Sequence, residues 1–286
     1  MTILEAIQRS ADFLAKKGVD SPRLQVELLL AHVLKMPRMK LYLGFERALQ
    51  TAELDELRAL VQRRGQREPL QQIIGSVSFC GLELTVNRNV LVPRPETELL
   101  AERAWKFLQS SAAGEGPLAL DMGTGSGCLA IALTTHVPSA VICATDLSNE
   151  ALALAAQNAA QHDVAARIVF RQGDGFAAVD PAARFHLIVS NPPYIPSAEI
   201  EQLDPEVRDF EPRAALDGGA DGQDFYRRLA AEGRGFLRPG GRLMVELEEE
   251  GAAATRAIFA DAGWVVEALE LDDNRKPRIL IARAAE

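Results

Sequence analysis

Cysteine is scarce in this chain of 286 residues, and the cysteines that occur stand alone. Cys80, Cys128 and Cys143 form no CxxC pair and leave an odd count, so the sequence predicts neither a disulfide framework nor a zinc site. The four histidines are scattered outside any motif, which argues against a catalytic or metal-binding histidine. We therefore expect no bound metal, and unpaired thiols fit the reducing cytoplasm best.

Long hydrophobic runs are also missing. No uninterrupted apolar stretch reaches the ~18–20 residues that a helix needs to span a membrane. The first ten residues, MTILEAIQRS, are amphipathic and lack the basic region and apolar core of a secretory signal. The sequence thus predicts a cytoplasmic protein without a membrane partner.

The chain has no excess of positive charge, and its net charge of −9 is unevenly distributed. Residues 1–90 contain 13 basic and 10 acidic side chains, a net charge of +3. Residues 91–286 contain 18 basic and 30 acidic side chains, a net charge of −12. Because an acidic surface repels a phosphate backbone, we expect no direct binding of nucleic acid.

The sequence pattern changes character along the chain, whose length fits two domains. Residues 1–70 show helical spacing, with a capping box at Thr2 and Glu5, and predict a small helical bundle domain. Residues 71–92 contain short β-type runs broken by glycine, which indicate a hairpin or linker. Strands and helices then alternate over residues 93–286, which predicts an α/β domain with a parallel sheet covered on both faces. The last two strand-like segments predict an antiparallel hairpin at the sheet edge.

A strand, a glycine-rich turn and a helix follow one another in LALDMGTGSGCLAIAL, residues 118–133. Gly123, Gly125 and Gly127 allow the backbone to approach a ligand closely, in front of a helix N-terminus. The dinucleotide fingerprint GxGxxG would require glycine where Cys128 stands, so a NAD-dependent oxidoreductase is disfavoured. The alternative is a strand–turn–helix whose glycines serve packing alone.

Acidic residues accompany this turn. Asp121 precedes it, and Asp146 and Asp174 end the next two predicted strands. Because the carboxyl ends of parallel strands meet at one edge of a sheet, the three aspartates predict a nucleoside site. Asp146 would accept the ribose hydroxyls, and Asp174 or Gly175 would meet the base. The absence of a lysine in the turn and the presence of Asp121 suit a positively charged cofactor.

The turn DMGTGSG resembles the D/E-x-G-x-G-x-G loop of class I S-adenosylmethionine-dependent methyltransferases, and NPPY at residues 191–194 resembles the signature of those that methylate a planar nitrogen. Such a nitrogen is a poor nucleophile because its lone pair is delocalised. The side-chain oxygen of Asn191 and the carbonyl of Pro192 can accept its two N–H groups, since a Pro-Pro pair holds that carbonyl rigidly. Tyr194 can cover the planar group with its ring. The alternative is that the prolines only end a strand and Tyr194 packs.

Further motifs narrow the resemblance to the HemK/PrmC family, and together they span nearly the whole chain. They are REPLQQIIGSVSF (67–79), LVPRPETELL (91–100), NPPYIP (191–196), FEPRAALDGGADG (210–222), LRPGG (237–241) and DDNRKPRILIAR (272–283). The family implies a Rossmann-like class I methyltransferase fold with a seven-stranded, mostly parallel sheet. It implies S-adenosylmethionine as methyl donor, S-adenosylhomocysteine as product, and N5-methylation of the glutamine in the GGQ motif of peptide chain release factors.

The resemblance also implies roles for individual residues. The cofactor-binding residues would be Gly123, Thr124, Gly125, Ser126, Gly127, Asp146, Asp174, Gly175 and Asn191. The substrate-binding residues would be Asn191, Pro192, Pro193, Tyr194, Leu91, Arg94 and Thr97, of which Asn191, Pro192 and Tyr194 are catalytic. The family usually shows a short Glu-x-Gly turn where this chain has ELEEEG, so no role is carried over to Glu246.

A lone glutamine carries little information, so we expect the helical domain of residues 1–70 to recognise the release factor, and we expect a monomer. Three alternatives stay open. A glutamine methyltransferase acting on a ribosomal protein would use the same NPPY chemistry. A DNA adenine-N6 methyltransferase must flip a base and hold its backbone, which the charge of residues 91–286 disfavours. A cofactor-binding module without activity would not need two acceptors aimed at an amide.

Overall fold

The computed structural model describes residues 1–111 and 116–285, which belong to two compact units. One unit comprises Met1–Ser76 with Asp204–Phe210, and the other comprises Val77–Leu203 and Glu211–Glu286. The helices are α1 (Ile3–Lys16), α2 (Pro22–Val33), α3 (Thr51–Gly65), α4 (Leu70–Ile74), α5 (Pro95–Ser111), α6 (Cys128–His136), α7 (Asn149–Gln161), α8 (Pro205–Arg208), α9 (Asp224–Glu232) and α10 (Ala252–Asp261). The strands are β1 (Ser76–Phe79), β2 (Leu82–Thr85), β3 (Leu118–Met122), β4 (Val141–Asp146), β5 (Ile168–Gln172), β6 (Phe185–Ser190), β7 (Leu237–Glu246), β8 (Trp264–Leu271) and β9 (Pro277–Ala284).

The first unit is a helical bundle, and its helix α1 begins with the reciprocal cap that the sequence predicts. The backbone N–H of Glu5 donates to Thr2 Oγ1 at 3.2 Å, and the backbone N–H of Thr2 donates to Glu5 Oε2 at 2.9 Å. Ile7, Leu14 and Leu30 are fully buried in the core that the helices of this unit share. Burial of these apolar faces, more than helix propensity, stabilises the bundle.

A segment from the distant part of the chain completes the first unit. Helix α8 in Asp204–Phe210 places Glu206 against two arginines of the bundle. Arg64 Nη2 donates to Glu206 Oε1 at 2.7 Å, and Arg67 Nε donates to the same oxygen at 2.6 Å. Arg64 is almost completely buried, so this ion pair neutralises a charge that has left water.

The second unit contains, in its described residues, a seven-stranded sheet with the order β5-β4-β3-β6-β7-β9-β8. The neighbours from β5 to β7 pair in parallel, and β9 runs antiparallel to both β7 and β8. The predicted α/β fold, a mostly parallel class I methyltransferase sheet, is therefore confirmed, as is the antiparallel β8–β9 hairpin at the sheet edge.

The topology of this sheet determines where a ligand can bind. From β3 the chain proceeds to β4 and β5 on one side, and it returns to β6 on the other side of β3. Open α/β sheets bind ligands at the carboxyl ends of strands where the strand order reverses in this way. Ser190 Oγ at the end of β6 donates to the carbonyl oxygen of Met122 at the end of β3 at 2.7 Å. The glycine turn and residues 191–194 therefore start side by side.

The segment that the sequence assigns to the linker, residues 71–92, begins differently from the prediction. Residues 71–74 continue helix α4, and only then do β1 and β2 form the expected hairpin. Within the described residues, no helix combines the length and the apolar character that crossing a membrane requires.

Candidate active site

A cavity of about 360 Å³ lies at the carboxyl edge of the sheet, where the strand order reverses between β3 and β6. It is lined by the following residues among those predicted for cofactor and substrate: Leu91, Thr97, Gly123, Thr124, Gly125, Ser126, Asp146, Asp174, Gly175, Asn191 and Pro193. The other predicted residues, Arg94, Gly127, Pro192 and Tyr194, lie outside this lining. The structure thus brings most of the predicted site together and separates four residues from it.

The first two glycines of the turn expose bare backbone to the cavity. Gly123 and Gly125 have φ angles of +74° and +54°, and a Cβ atom added to either would meet no described atom within 4 Å. The backbone N–H groups of Gly123 and Thr124 both donate to the carbonyl oxygen of Thr145 at 2.9 Å. This pair of bonds ties the turn to the end of β4 and leaves its glycine face open to a ligand.

The third glycine, Gly127, has a packing role instead. Its φ angle is +83°, and an added Cβ would lie 3.0 Å from Ala155 Cβ and 3.1 Å from Ile131 Cδ1. Helix α6 begins directly after it and could not pack this closely against α7 with a side chain at this position. The packing alternative for the glycines therefore describes Gly127 but neither Gly123 nor Gly125.

Asp121 supports the turn from below. Its carboxylate is fully buried, and one oxygen accepts from Thr124 Oγ1 at 2.7 Å and from the backbone N–H of Ala130 at 3.1 Å. Burial raises the pKa of Asp121 to about 7, and the nearby Asp146 adds to the shift. The other oxygen, Oδ1, has no hydrogen-bond partner among the described residues. Asp121 thus orders the glycine turn, and its Oδ1 remains available as a hydrogen-bond acceptor.

The Asp146 carboxylate can accept two further hydrogen bonds. Its Oδ2 accepts from the backbone N–H of Gly125 and its Oδ1 from that of Ser148, both at 2.9 Å. Each carboxylate oxygen keeps a free lone pair, which fits a pair of vicinal hydroxyl groups. Leu147, next in the chain, lines the cavity although its side chain is 60% exposed. The sequence prediction missed Leu147, and an apolar residue directly after a strand-end aspartate is the signal that could have found it.

The loop after β5 contributes Asp174 and Gly175, with a partner from α9 that the sequence prediction missed. Arg228 Nη1 donates to Asp174 Oδ1 at 2.6 Å, and the separation of 54 residues between the two offers no local signal for this pairing. Gly175 has a φ angle of +58°, and an added Cβ would collide with the Arg228 guanidinium. Phe225, also on α9, lines the same end of the cavity. This end therefore combines an aromatic ring, an ion pair and a glycine that the Arg228 guanidinium covers.

Asn191 presents an unpaired acceptor at the cavity. Its Nδ2 donates to Thr97 Oγ1 at 3.1 Å. Its Oδ1 is buried and has no hydrogen-bond partner among the described residues. A buried amide oxygen without a partner is unfavourable by itself, so it indicates a group that a ligand completes.

The four residues of NPPY do not face one space. Residues 191–194 follow the end of β6 outside any helix or strand; Asn191 and Pro193 line the cavity, whereas Pro192 is buried and does not line it. Tyr194 is half-buried and lines a second cavity of about 240 Å³, together with Tyr226 and Glu248. Burial in this second place raises the pKa of Tyr194 above its ordinary range.

The glycine-rich stretch LDGGADG holds the backbone that follows NPPY. The backbone N–H of Ile195 donates to the carbonyl oxygen of Leu216 at 3.0 Å, and that of Gly218 donates back to Ile195 at 2.9 Å. A Cβ atom on Gly222 would collide with the carbonyl oxygen of Tyr194. Glycine at position 222 is therefore required by close approach of two backbones, and this stretch is hydrogen-bonded to the backbone that follows NPPY.

Arg94 is held by a buried carboxylate. Its Nη2 donates to Glu211 Oε2 at 2.6 Å, and the backbone N–H of Val92 donates to Glu211 Oε1 at 3.1 Å. Burial raises the pKa of Glu211, and the charge of Arg94 opposes that rise. Arg94 thus fixes the segment before α5, whereas Leu91 and Thr97 of that segment reach the cavity wall.

Glu246, at the end of β7, is buried close to this site. Its side chain is 1% exposed, and burial raises its pKa to about 7 although a hydrogen bond from the Thr97 side chain lowers it. Oε2 of Glu246 has no hydrogen-bond partner among the described residues. Tyr226 donates its hydroxyl to the backbone carbonyl of Glu246 at 2.8 Å and so fixes the strand end.

The described residues contain no group of three or more His, Cys, Asp or Glu side chains that could hold a metal ion. What the cavity offers is open backbone at a helix N-terminus, a carboxylate with two free lone pairs, and a buried amide oxygen. The arrangement can bind a nucleoside-containing ligand with a cationic group and can orient an N–H group of a second molecule beside it.

Comparison with known proteins gives matches along the chain. Residues 5–75 match the PrmC N-terminal domain, and residues 99–203 match the methyltransferase small domain. The release factor glutamine methyltransferase of Geobacter sulfurreducens is 43% identical over 99% of this chain and 96% of that protein. The protein of the same name from Chlorobaculum tepidum is 41% identical over 99% of this chain and 97% of its own. A methyltransferase structure from Pyrococcus furiosus shares the fold, with a TM-score of 0.52 and 20% identity over 72% of this chain and 90% of that one.

Proposed function

The chain belongs to the family of release factor glutamine methyltransferases, and from that premise we propose that it methylates N5 of the glutamine in the GGQ motif of peptide chain release factors, in the cytoplasm. In this proposal S-adenosylmethionine is the methyl donor and S-adenosylhomocysteine the product. The observation that carries the proposal is the buried, unpaired Oδ1 of Asn191 at the wall of a cavity with an open glycine turn.

The residues of the cavity fit this donor. Gly123 and Gly125 leave room for close approach of a ligand to the backbone, and the free lone pairs of Asp146 suit the ribose hydroxyls. Leu147 and the loop at Gly175 would hold the adenine between an apolar side chain and backbone. When bound, S-adenosylmethionine supplies an electrophilic methyl group on a sulfonium sulfur, and an acidic cavity favours that positive charge.

Asn191 orients the nucleophile in this mechanism. The amide nitrogen of glutamine is weakly nucleophilic, so its rate of attack depends on its position and alignment. Asn191 Oδ1 accepts one amide N–H of the glutamine, and the Pro192 carbonyl is the proposed second acceptor. Because Pro192 and Pro193 restrict the backbone, the direction of the Pro192 carbonyl is fixed before the substrate arrives.

We assign recognition of the release factor to the first unit. On its 3₁₀ helix Arg38–Leu43, the side chain of Leu43 is 89% exposed and that of Met39 is 67% exposed, an apolar surface that a protein partner can cover. Leu43→Ser should lower kcat/KM for an intact release factor and leave kcat/KM for a short GGQ peptide unchanged. Leu271→Ser, at an exposed apolar residue of the second unit, is the matched control. Equal losses on protein and peptide would contradict this assignment.

Labelled S-adenosylmethionine tests the function as a whole. The purified protein, which we expect to sediment as a monomer, should transfer label to a release factor, and mass spectrometry should place one methyl group on the glutamine of the GGQ peptide. Ribosomal proteins and adenine-containing DNA are the competing substrates, and preferential labelling of either would refute the proposal. Asn191→Ala should nearly abolish transfer while cofactor affinity stays close to that of the wild type.

A further inference from the structure

One buried carboxylate near the site, that of Glu246, has no part in the mechanism above. Its side chain is 1% exposed, and its Oε2 has no hydrogen-bond partner among the described residues. A carboxylate so completely removed from water is costly unless it is paired and hydrogen-bonded. Its neighbour in the structure is the hydroxyl of Thr97, which is itself 1% exposed.

Thr97 links Glu246 to Asn191. Its Oγ1 accepts from Asn191 Nδ2 at 3.1 Å. Its side chain also lies close enough to the Glu246 carboxyl to lower the pKa of that group, which is the effect of a hydroxyl that donates toward the ionised form. A hydroxyl has a single proton and can donate only once, whereas an ionised carboxylate can only accept. When Glu246 is ionised, Thr97 therefore donates toward it, and the Thr97 oxygen is left to accept from Asn191 Nδ2.

This direction of donation determines which way the Asn191 amide faces. With Thr97 as acceptor, Asn191 has to turn its NH₂ group toward Thr97, and its Oδ1 is presented on the other side. The direction follows from the chemistry of the carboxylate, and it agrees with the Oδ1 atom that lacks a partner. If the amide were reversed, its NH₂ group would meet the N–H groups of the substrate, donor against donor.

We propose that Thr97 and Glu246 are positioning residues, which lock the Asn191 carboxamide with its oxygen toward the substrate amide. The inference rests on the proposed function, because it assigns a purpose to the unpaired oxygen of Asn191. It also changes the expected role of Thr97, from contact with the substrate to control of the residue that makes the contact. The series Glu246–Thr97–Asn191, which we call the relay, joins the end of β7, the first turn of α5 and the residue after β6.

The charged groups around Glu246 come from several elements. Arg278 on β9 and Arg94 before α5 favour its ionised form, and Glu96 on α5 opposes it. Tyr194, after β6, has its pKa raised mainly by burial and in part by the charge of Glu246. The two arginines support the acceptor state of Glu246 that the relay requires.

The test compares Thr97→Val with Thr97→Ser in the full chain, using intact release factor and S-adenosylmethionine. Valine keeps the shape of threonine without the hydroxyl, and serine keeps the hydroxyl. Thr97→Val should lower kcat at least tenfold with little change in the Kd of S-adenosylhomocysteine, and Thr97→Ser should recover most of the turnover. A Thr97→Val variant within about twofold of wild-type kcat, or a Thr97→Ser variant as impaired as Thr97→Val, would overturn the inference.

Two further measurements separate positioning from general damage. Glu246→Gln should lower kcat, and combining it with Thr97→Val should cause no further loss, because both changes break one relay. Additive losses would contradict the relay. Independently of activity, the Nδ2 protons of Asn191 should exchange with solvent more slowly in the wild type and in Thr97→Ser than in Thr97→Val. A wild-type protein that leaves glutamine unmethylated would refute the proposed function, whereas an exchange pattern indifferent to Thr97 would refute the inference alone.

Discussion

The sharpest prediction concerns the glycines of the turn, because the structure provides a matched control. Gly125 and Gly81 both have left-handed backbone, with φ angles of +54° and +77°, and a Cβ on either would meet no described atom within 4 Å. Gly125 lines the cavity, whereas Gly81 lies in the turn between β1 and β2. Alanine at the two positions should therefore strain the backbone equally and differ only in what its methyl group does to a ligand.

The expected changes in stability and in cofactor affinity follow from the backbone strain and from the position of the added methyl group. Left-handed backbone costs an L-residue about 1–2 kcal/mol, so each variant should lose about that much free energy of unfolding. At roughly 2–4 °C per kcal/mol, both melting temperatures should fall by a few degrees. The methyl group of Gly125→Ala enters the space that a ligand needs beside the backbone. We expect its Kd for S-adenosylmethionine to rise at least tenfold, about 1.4 kcal/mol.

Calorimetric titration with S-adenosylmethionine and thermal unfolding of the same samples provide the measurement. Gly81→Ala should bind the cofactor as the wild type does. Gly127→Ala should lose more stability than either, because its methyl group would press on Ala155 and Ile131. If Gly125→Ala and Gly81→Ala bound the cofactor with equal affinity, the glycine turn would not be the cofactor site.

Other parts of the structure give three further predictions. Glu206→Ala should destabilise the first unit by about 3–5 kcal/mol, because it leaves a buried arginine unpaired, while Asp55→Ala in an exposed ion pair should have little effect; equal denaturation midpoints would contradict this. Gly222→Ala should lower kcat at least tenfold without weakening cofactor binding, because its methyl group displaces the backbone of Tyr194; unchanged kcat refutes it. Since burial raises the pKa of Glu246 to about 7 and the ionised form orients the relay, kcat should rise with pH through that value; an acid limb that persists in Glu246→Gln would belong to another group.

The sequence could predict those parts of the site that depend on position along a strand. Asp146 and Gly175 follow strands whose apolar character is evident, and parallel strands bring their carboxyl ends to one edge. The glycine turn was predictable for the same reason, since it directly follows β3. The different roles of the three glycines were not predictable, because only the packing of Gly127 against Ala155 distinguishes it from Gly123 and Gly125.

Contacts between side chains that are far apart in the sequence could not be predicted from the sequence pattern. Thr97 and Asn191 are 94 residues apart, and nothing in either segment's pattern specifies that they meet. Glu206 lies deep in the second half of the sequence and yet joins the helical unit through Arg64. Tyr194 was expected to cover the planar group of the substrate beside Asn191, but it lines a different cavity from that of Asn191.

Several buried polar side-chain atoms of this fold have no hydrogen-bond partner among the described residues, and most of them lie near the proposed site. Of the eight buried side-chain polar atoms without a partner among the described residues, five belong to one neighbourhood. They are on Asp121, Ser126, Thr145, Asn191 and Glu246, which line the cavity or hydrogen-bond a residue that does. Each such atom costs about 1–3 kcal/mol when left without water or a partner. Because these atoms are concentrated around the proposed site rather than spread throughout the core, a ligand bound there could supply their missing hydrogen bonds, and ligand binding should stabilise the protein.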